Sequence, residues 1–113
     1  MNVLGKQYPT FCPMGPCIVT KDELQDPGNV DLATIVNGEV MQSANTRDLI
    51  HGLGQTLSYF SRWFRFQPGD VVSTGTPAGI GFARKPPRFL RPGDVVEVRS
   101  GQIGSLRNVV AAR

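Results

Sequence analysis

Residues 30–43 read VDLATIVNGEVMQS and predict a β-hairpin. The stretch from Val30 to Val36 alternates in the way that a half-buried strand requires. Asn37-Gly38 follows at once, and both central residues of a type I′ turn need the positive φ that Asn and Gly adopt most readily. Glu39 to Ser43 is then the returning strand. One face of the first strand would carry Val30, Leu32, Thr34 and Val36.

Two copies of one turn motif lie downstream of this hairpin, at Pro68-Gly69-Asp70 and Pro92-Gly93-Asp94. Proline presets the φ of a turn, and glycine supplies a positive φ at the next position. We therefore expect a buried strand after each motif, at Asp70 to Thr74 and at Asp94 to Arg99. A further turn then lets Ile103 to Val110 close a second hairpin.

One long helix is predicted at about residues 46–64. Asn45-Thr46 offers a cap, and the negative charge of Asp48 is favoured in a first turn. Gly52 and Gly54 would each weaken the helix by about 1 kcal/mol relative to alanine. Apolar residues recur at helical spacing at Leu49, Leu53, Leu57, Phe60 and Phe64. The sequence thus predicts a mainly β chain with one helix, an α+β fold.

The composition narrows the class of protein. A chain of 113 residues fits one domain or part of one, and 40% hydrophobic with 19% charged residues excludes a disordered chain. A net charge of +3 is too sparse to predict a nucleic-acid partner, although a basic β-barrel that binds nucleic acid stays the weakest alternative. Cys12 and Cys17 lack the spacing of a metal pair, so we expect reduced thiols in a soluble, cytoplasmic protein without a membrane partner.

Residues 74–81 read TGTPAGIG and open a loop that extends to Arg91. Loops of this length are often functional in compact domains. Three glycines allow backbone N–H groups to approach a ligand, and Thr74 and Thr76 add hydroxyl donors. Such a nest can hold a carboxylate or an oxyanion. The spacing is that of neither a dinucleotide-binding motif nor a P-loop, so on spacing alone a plain turn remains the alternative.

Other candidate residues each have an ordinary alternative. Lys6 lies among apolar and aromatic residues, where a lysine can take part in proton transfer, or it is a plain exposed lysine. His51 would lie one helical turn after Asp48, which allows a pair, or it is an ordinary helix histidine. No Glu-x-Glu pair aligns two carboxylates for a divalent ion. The loop also holds four basic residues, which form either a solvated segment or an electropositive rim: Arg84, Lys85, Arg88 and Arg91.

Taken in order, these motifs resemble the fumarylacetoacetate hydrolase family. Gly5-Lys6 with Phe11 to Pro16 is similar to the family's Gly-Lys-x-Phe…Pro-x-Gly-Pro stretch. The Asn37-Gly38 turn, Asn45-Thr46 and Thr74 to Gly79 follow as they do in that family. The resemblance covers nearly the whole chain, and the ordered set is specific although no single motif decides it.

The resemblance implies that residues 1–113 are the C-terminal part of a catalytic domain, an incomplete mixed β-sandwich roll without the upstream half that carries the family's metal ligands. It implies an intact Mg²⁺- or Mn²⁺-dependent hydrolase, isomerase or decarboxylase of 2-oxo or 1,3-dioxo acids, and no metal bound by this chain alone. Lys6 would polarise the substrate or handle a proton, and Gly75 with Thr76 would hold its far end. A homodimer, or association with the N-terminal half, is expected. The alternative is a truncated, non-catalytic dimerisation or small-anion-binding module.

Overall fold

The computed structural model describes residues 4–112, and there it contains one antiparallel sheet and one α-helix. The strands pair in the order β2-β1-β3-β4. This confirms the predicted class, mainly β with one helix. The bounds are β1 (Asp31–Val36), β2 (Glu39–Asn45), α1 (Leu53–Phe60), β3 (Val95–Ser100) and β4 (Gly104–Val109), with short 3₁₀ helices at Leu4–Lys6, Thr46–Asp48 and Gly81–Ala83.

The first hairpin forms as predicted. Asn37 has a φ of 51° and Gly38 a φ of 84°, as the type I′ turn requires. Thr34 pairs with Gln42, but the next residue of β1 pairs with Val40, so that Met41 is an extra residue in β2. This β-bulge changes the alternation of the strand. As a result Met41 is buried, together with Val30, Ile35 and Val36.

The two Pro-Gly-Asp motifs form the same turn. Gly69 and Gly93 have φ values of 98° and 92°, and each aspartate accepts a bond of 2.8 Å from the N–H of the residue before its proline. The second turn leads into β3 as predicted. The strand predicted at Asp70 to Thr74 is wrong, because within residues 4–112 no strand of the sheet pairs with this extended segment.

The predicted long helix is also wrong in its extent. Asn45 caps a 3₁₀ turn, with its side chain accepting from the Arg47 N–H at 2.9 Å and its own N–H donating to Asp48 at 3.3 Å. The chain leaves helical geometry at Leu49, whose ψ is 127°. Helix α1 starts again only after Gly52. The prediction that Asn45 is a cap was therefore correct. The apolar spacing wrongly indicated one continuous helix, because the chain breaks before Gly52.

No helix within the described residues is long and apolar enough to span a membrane. Cys12 and Cys17 are both free and exposed. The sheet brings together segments that are distant in sequence, because β1 pairs with β3 from Ala33↔Arg99 to Val36↔Val96. This pairing places the first hairpin beside the second. One face of the resulting sheet is available for a site.

Candidate functional site

A cleft of about 1420 Å³ lies between one face of the sheet, helix α1 and residues 73–77. Its floor follows from strand geometry, because alternate residues of a strand share a face and paired residues lie side by side. Residue Leu32 pairs with Ala44, and Thr34 pairs with both Gln42 and Val98. All five of these side chains line the cleft.

The Thr74-Gly75-Thr76 segment forms one wall of this cleft. Gly75 has a φ of 107°, and a β-carbon at this position would have no neighbouring atom within 4 Å. Packing within the described residues therefore does not explain why this backbone is left-handed. The Thr76 hydroxyl oxygen accepts a bond of 3.2 Å from the Gln42 side-chain amide. This leaves the hydroxyl proton of Thr76 available to another acceptor.

Gly79 and Gly81 have a packing role that the sequence did not suggest. A β-carbon at Gly79 would overlap with the carbonyl oxygen of Met41, and one at Gly81 would overlap with the carbonyl oxygen of Arg88. These two glycines allow the loop to approach strand β2 and to fold against itself. Of the three glycines predicted to form a ligand nest, only Gly75 has open space around it.

Two loop arginines attach the loop to β2. Arg84 donates to the Met41 carbonyl at 2.6 Å through Nη2 and to the Gly79 carbonyl at 3.2 Å through Nε. Arg88 forms an ion pair with Glu39. Both arginines are half-buried, so neither belongs to a solvated segment or to a free electropositive rim. Each covers part of the outer edge of the sheet.

The structure does not bring Lys6 to this cleft. Lys6 is exposed at the end of the first 3₁₀ helix and is not among the residues that line the cleft. Its predicted catalytic role therefore stays a prediction. Asp48 and His51 both line the cleft. They do not share a helix, however, because Asp48 ends a 3₁₀ turn before the chain bends at His51.

The described residues do not by themselves form a site for a divalent ion. Within residues 4–112, no group of three or more His, Cys, Asp or Glu side chains has the arrangement of a metal site. Asp48 is the only carboxylate among the described residues that line the cleft, and it accepts a bond from the Asn45 N–H. Mg²⁺ and Mn²⁺ need several converging oxygens, so this donor set does not fit such an ion.

Three carboxyl groups have a lowered pKa, and all three lie outside the cleft. A bond from the Thr20 side chain lowers the pKa of Asp22, and one from Arg99 lowers the pKa of Glu97. The Asn37 amide, at 2.8 Å, is the main cause of the lowered pKa of Asp94. These hydrogen bonds stabilise turns and strands, and they do not prepare an acid or a base for catalysis.

Sequence reasoning missed Gln42 and Arg84 as residues of the site and its support. Gln42 projects from an edge strand into the cleft and holds the Thr76 segment, while Arg84 holds the same loop from the far side. The strand pattern gave no signal for Gln42, since β2 also contains the polar residues Glu39, Ser43 and Asn45. Its partner, 34 residues further along the chain, could not be inferred from local pattern.

Three comparisons with known proteins agree. The family described as fumarylacetoacetate (FAA) hydrolase C-terminal matches residues 1–111. The mitochondrial oxaloacetate tautomerase FAHD2B of Homo sapiens is 45% identical over 108 residues, which are 96% of this chain and 34% of that protein. The chain thus spans about a third of the length of the curated relatives that it matches.

Solved structures show the same fold. The fumarylacetoacetate hydrolase of the psychrophile Exiguobacterium antarcticum superposes with a TM-score of 0.93 at 45% identity, over 97% of this chain and 39% of that one. The maleylpyruvate hydrolase of Sphingobium sp. SYK-6, in complex with manganese(II) and pyruvate, gives a TM-score of 0.82 at 38% identity, over 92% of this chain and 37% of that one.

Proposed function

The chain belongs to the fumarylacetoacetate hydrolase family, and we propose that it is the C-terminal part of an enzyme that acts on 2-oxo or 1,3-dioxo acids. The observation that carries this proposal is the Thr74-Gly75-Thr76 wall of the cleft. It combines a left-handed glycine in open space with a hydroxyl whose proton is free to be donated. Backbone and hydroxyl donors together suit the carboxylate of an oxo acid.

The relatives' names support the substrate class. The human relative is named for oxaloacetate, and the Sphingobium relative is a maleylpyruvate hydrolase crystallised with pyruvate. Both substrates are 2-oxo acids. These names favour catalysis over the alternative of a non-catalytic module that binds small anions. We propose tautomerisation, hydrolysis or decarboxylation next to the oxo group as the reaction class.

We assign the following roles to this chain. The Thr76 hydroxyl and the Gly75 N–H donate to a carboxylate oxygen of the substrate, which fixes its orientation. Lys6 does not line the cleft in this chain. We propose that in the intact domain its ammonium group reaches the oxo group, where it polarises that group or moves a proton between the neighbouring carbon and the oxo oxygen. Such a proton transfer is the chemical core of a keto–enol tautomerisation. A positioned acid–base group contributes typically 10²- to 10⁴-fold to such a step.

A divalent ion, Mg²⁺ or Mn²⁺, belongs to this proposal for the intact enzyme. The manganese in the Sphingobium relative supports it for the family. Because the described residues offer no suitable donor set, we propose that other parts of the family domain hold the ion. We also propose association with that part or with a second copy, and we keep the cytoplasm as the compartment on account of the two free cysteines.

The test joins this chain to the rest of the human tautomerase, in place of its matching 108 residues. The joined protein is assayed with oxaloacetate and Mg²⁺ or Mn²⁺, with the human enzyme as the positive control. We expect turnover of oxaloacetate or of a related oxo acid. A joined protein that folds and binds Mn²⁺ but turns over neither oxaloacetate nor an acylpyruvate would contradict the proposal.

A further inference from the structure

Gln42 occupies a distinctive place between the sheet and the candidate site. It lies on the edge strand β2, opposite Thr34 and next to the bulged residue Met41. The side chain is half-buried and lines the cleft. Its amide nitrogen lies 3.2 Å from the Thr76 hydroxyl oxygen, 3.0 Å from the Pro77 carbonyl oxygen and 3.4 Å from that of Ala78. One amide group therefore meets three consecutive residues of the wall.

The chemistry of these partners fixes the orientation of the Gln42 amide. The carbonyl oxygens of Pro77 and Ala78 can only accept hydrogen bonds, so the NH₂ end must face the wall. Only that end provides donors. The Thr76 oxygen, which shares this NH₂ group, is then held as an acceptor toward Gln42. Its own proton must be donated elsewhere.

We infer that Gln42 is a positioning residue that fixes Thr76 as a hydrogen-bond donor to the substrate. A free threonine hydroxyl rotates and can present either a lone pair or its proton. Accepting from an amide occupies one of the two lone pairs of the oxygen, which favours donation by the hydroxyl, and it polarises the O–H bond. The group that it serves is a carboxylate or an oxo oxygen, which accept and never donate. This inference rests on the proposed function and deepens it.

A purely structural role for Gln42 makes a different prediction. The loop is attached to β2 independently, through Arg84 and through the close approach of Gly79 to Met41. Loss of the Gln42 amide should therefore leave the loop in place. What it removes is the fixed direction of the Thr76 hydroxyl. The two roles can be separated by asking whether Gln42 matters once that hydroxyl is gone.

The experiment is a double-mutant cycle in the joined enzyme, with Gln42→Met and Thr76→Val alone and together. We expect Gln42→Met to raise the KM for oxaloacetate about 10-fold, within the range that hydrogen bonds to charged groups supply. In the Thr76→Val background the same change should have an effect of less than about twofold. Equal effects in both backgrounds would overturn the inference, because independent sites add and coupled ones do not.

Gln42→Glu is the second variant, since it keeps the size of the side chain but replaces the donors with acceptors. We expect it to raise KM at least as much as Gln42→Met does. Gln25→Glu is the matched charge control, because Gln25 is exposed and does not line the cleft. Equal losses in Gln42→Glu and Gln25→Glu would assign the effect to charge alone and would overturn the inference.

A measurement that needs no turnover separates this inference from the proposed function. In the 113-residue chain, the side-chain NH₂ resonances of Gln42 in a ¹H–¹⁵N spectrum report its hydrogen bonds directly. We expect proton shifts that differ from those of a solvated glutamine amide and that move on Thr76→Val, whereas those of Gln25 stay unchanged. Gln42 resonances that coincide with those of a solvated amide would overturn the inference. An inactive joined enzyme with the expected spectrum would count against the proposed function alone.

Discussion

At Thr76 a single hydroxyl group connects the sheet to the cleft. Its oxygen accepts from Gln42, and the residue itself is exposed and outside the core. In the joined enzyme we expect Thr76→Val to lower kcat/KM about 10- to 100-fold, because a hydrogen bond to a charged group contributes about 1.5–3 kcal/mol. Thr76→Ser keeps the hydroxyl and should retain most of the activity.

The same pair of variants also tests whether Thr76 has a role in the site or in the stability of the fold. Thermal unfolding of both should change by no more than about 2 °C, since an exposed substitution usually costs less than about 0.5 kcal/mol. A large fall in the melting temperature of Thr76→Val, with unchanged activity per folded molecule, would place Thr76 in the structural framework and remove it from the site.

The lowered pKa of Asp94 should make the stability of the chain depend on pH. Bonds from the Asn37 amide and from the Arg91 N–H lower its pKa in the folded chain. Folding is therefore favoured by the ionised group above its unfolded pKa of about 3.9, and this contribution is lost as pH falls through the lower folded pKa. Asp94→Asn should destabilise the chain at pH 7, and the difference from wild type should shrink below about pH 4.

Urea unfolding at pH 7, 5 and 3 measures this dependence. Asp70→Asn is the matched control, because Asp70 has the same place in the first Pro-Gly-Asp turn. In the described part of the chain, no asparagine side chain donates to Asp70, so we expect Asp70→Asn to destabilise the chain less than Asp94→Asn does at pH 7. A difference between wild type and Asp94→Asn that stays constant from pH 7 to pH 3 would refute the assignment.

At the scale of elements, the contact between the loop and β2 distinguishes two glycines with the same backbone. Gly75 and Gly79 have φ values of 107° and 100°, so alanine is strained at both positions by about 1–3 kcal/mol. At Gly79 the new methyl group would also overlap with the Met41 carbonyl, and the loop would have to move. Gly79→Ala should therefore cost at least about 1 kcal/mol more than Gly75→Ala.

The two alanine variants are compared by urea unfolding, with activity in the joined enzyme as the second readout. We expect the opposite order for activity per folded molecule, because Gly75 lines the cleft and Gly79 does not. Equal unfolding free energies would mean that the loop does not pack on β2 as described. Equal activities would weaken the role of Gly75.

The elements also show which parts of the structure local sequence can predict. The Asn37-Gly38 turn and the Pro-Gly-Asp turns depend on the φ of a few neighbouring residues, so the sequence predicted them. The helix was predicted too long because the apolar spacing continues from the 3₁₀ turn that Asn45 caps into helix α1. The spacing does not show that the chain leaves helical geometry between them, before Gly52. The β1–β3 pairing joins residues 60 to 66 positions apart, and no local signal specifies it.

The candidate site follows the same division. Thr74 to Thr76 was predicted from its residue types and does line the cleft. Close packing against the Met41 carbonyl is enough to explain the positive φ of Gly79, so its place in a ligand nest stays a prediction. Gln42 and Arg84 were missed because each contacts a partner that is distant in sequence, 34 residues away for Gln42 and 43 residues away for Arg84. Such contacts are decided by tertiary structure.

At the scale of the whole molecule, the chain exposes far more surface than its mass requires. Its accessible area is 9446 Å². A compact monomer of 12.3 kDa exposes about 6,100 Å². The radius of gyration of 15.5 Å also exceeds the value of about 13 Å expected for a domain of this length. Obligate interfaces bury about 2,000–5,000 Å² counted over both partners, so an excess of about 3,300 Å² on one chain exceeds its share of such an interface.

Aromatic side chains in the last turn of helix α1 and just after it account for part of this surface. Tyr59, Phe60, Trp63, Phe64 and Phe66 form a chain of ring contacts with centroids 5.0–6.5 Å apart. The side chain of Trp63 is 73% exposed. Large exposed apolar patches of this kind mark interaction surfaces or promote aggregation. Within residues 4–112 no strand pairs with the outer edge of β4, which adds a second place for association.

We therefore predict that the isolated chain associates with itself. Sedimentation velocity should show species heavier than the 12.3 kDa monomer, increasing with concentration, and the chain should bind a hydrophobic dye. Trp63→Ser should reduce both signals. Phe82→Ser is the matched control, because Phe82 is similarly exposed, at 68%, but stands outside the aromatic cluster. A monodisperse monomer that binds no dye would mean that the exposed cluster is tolerated in water and that the chain needs no covering partner.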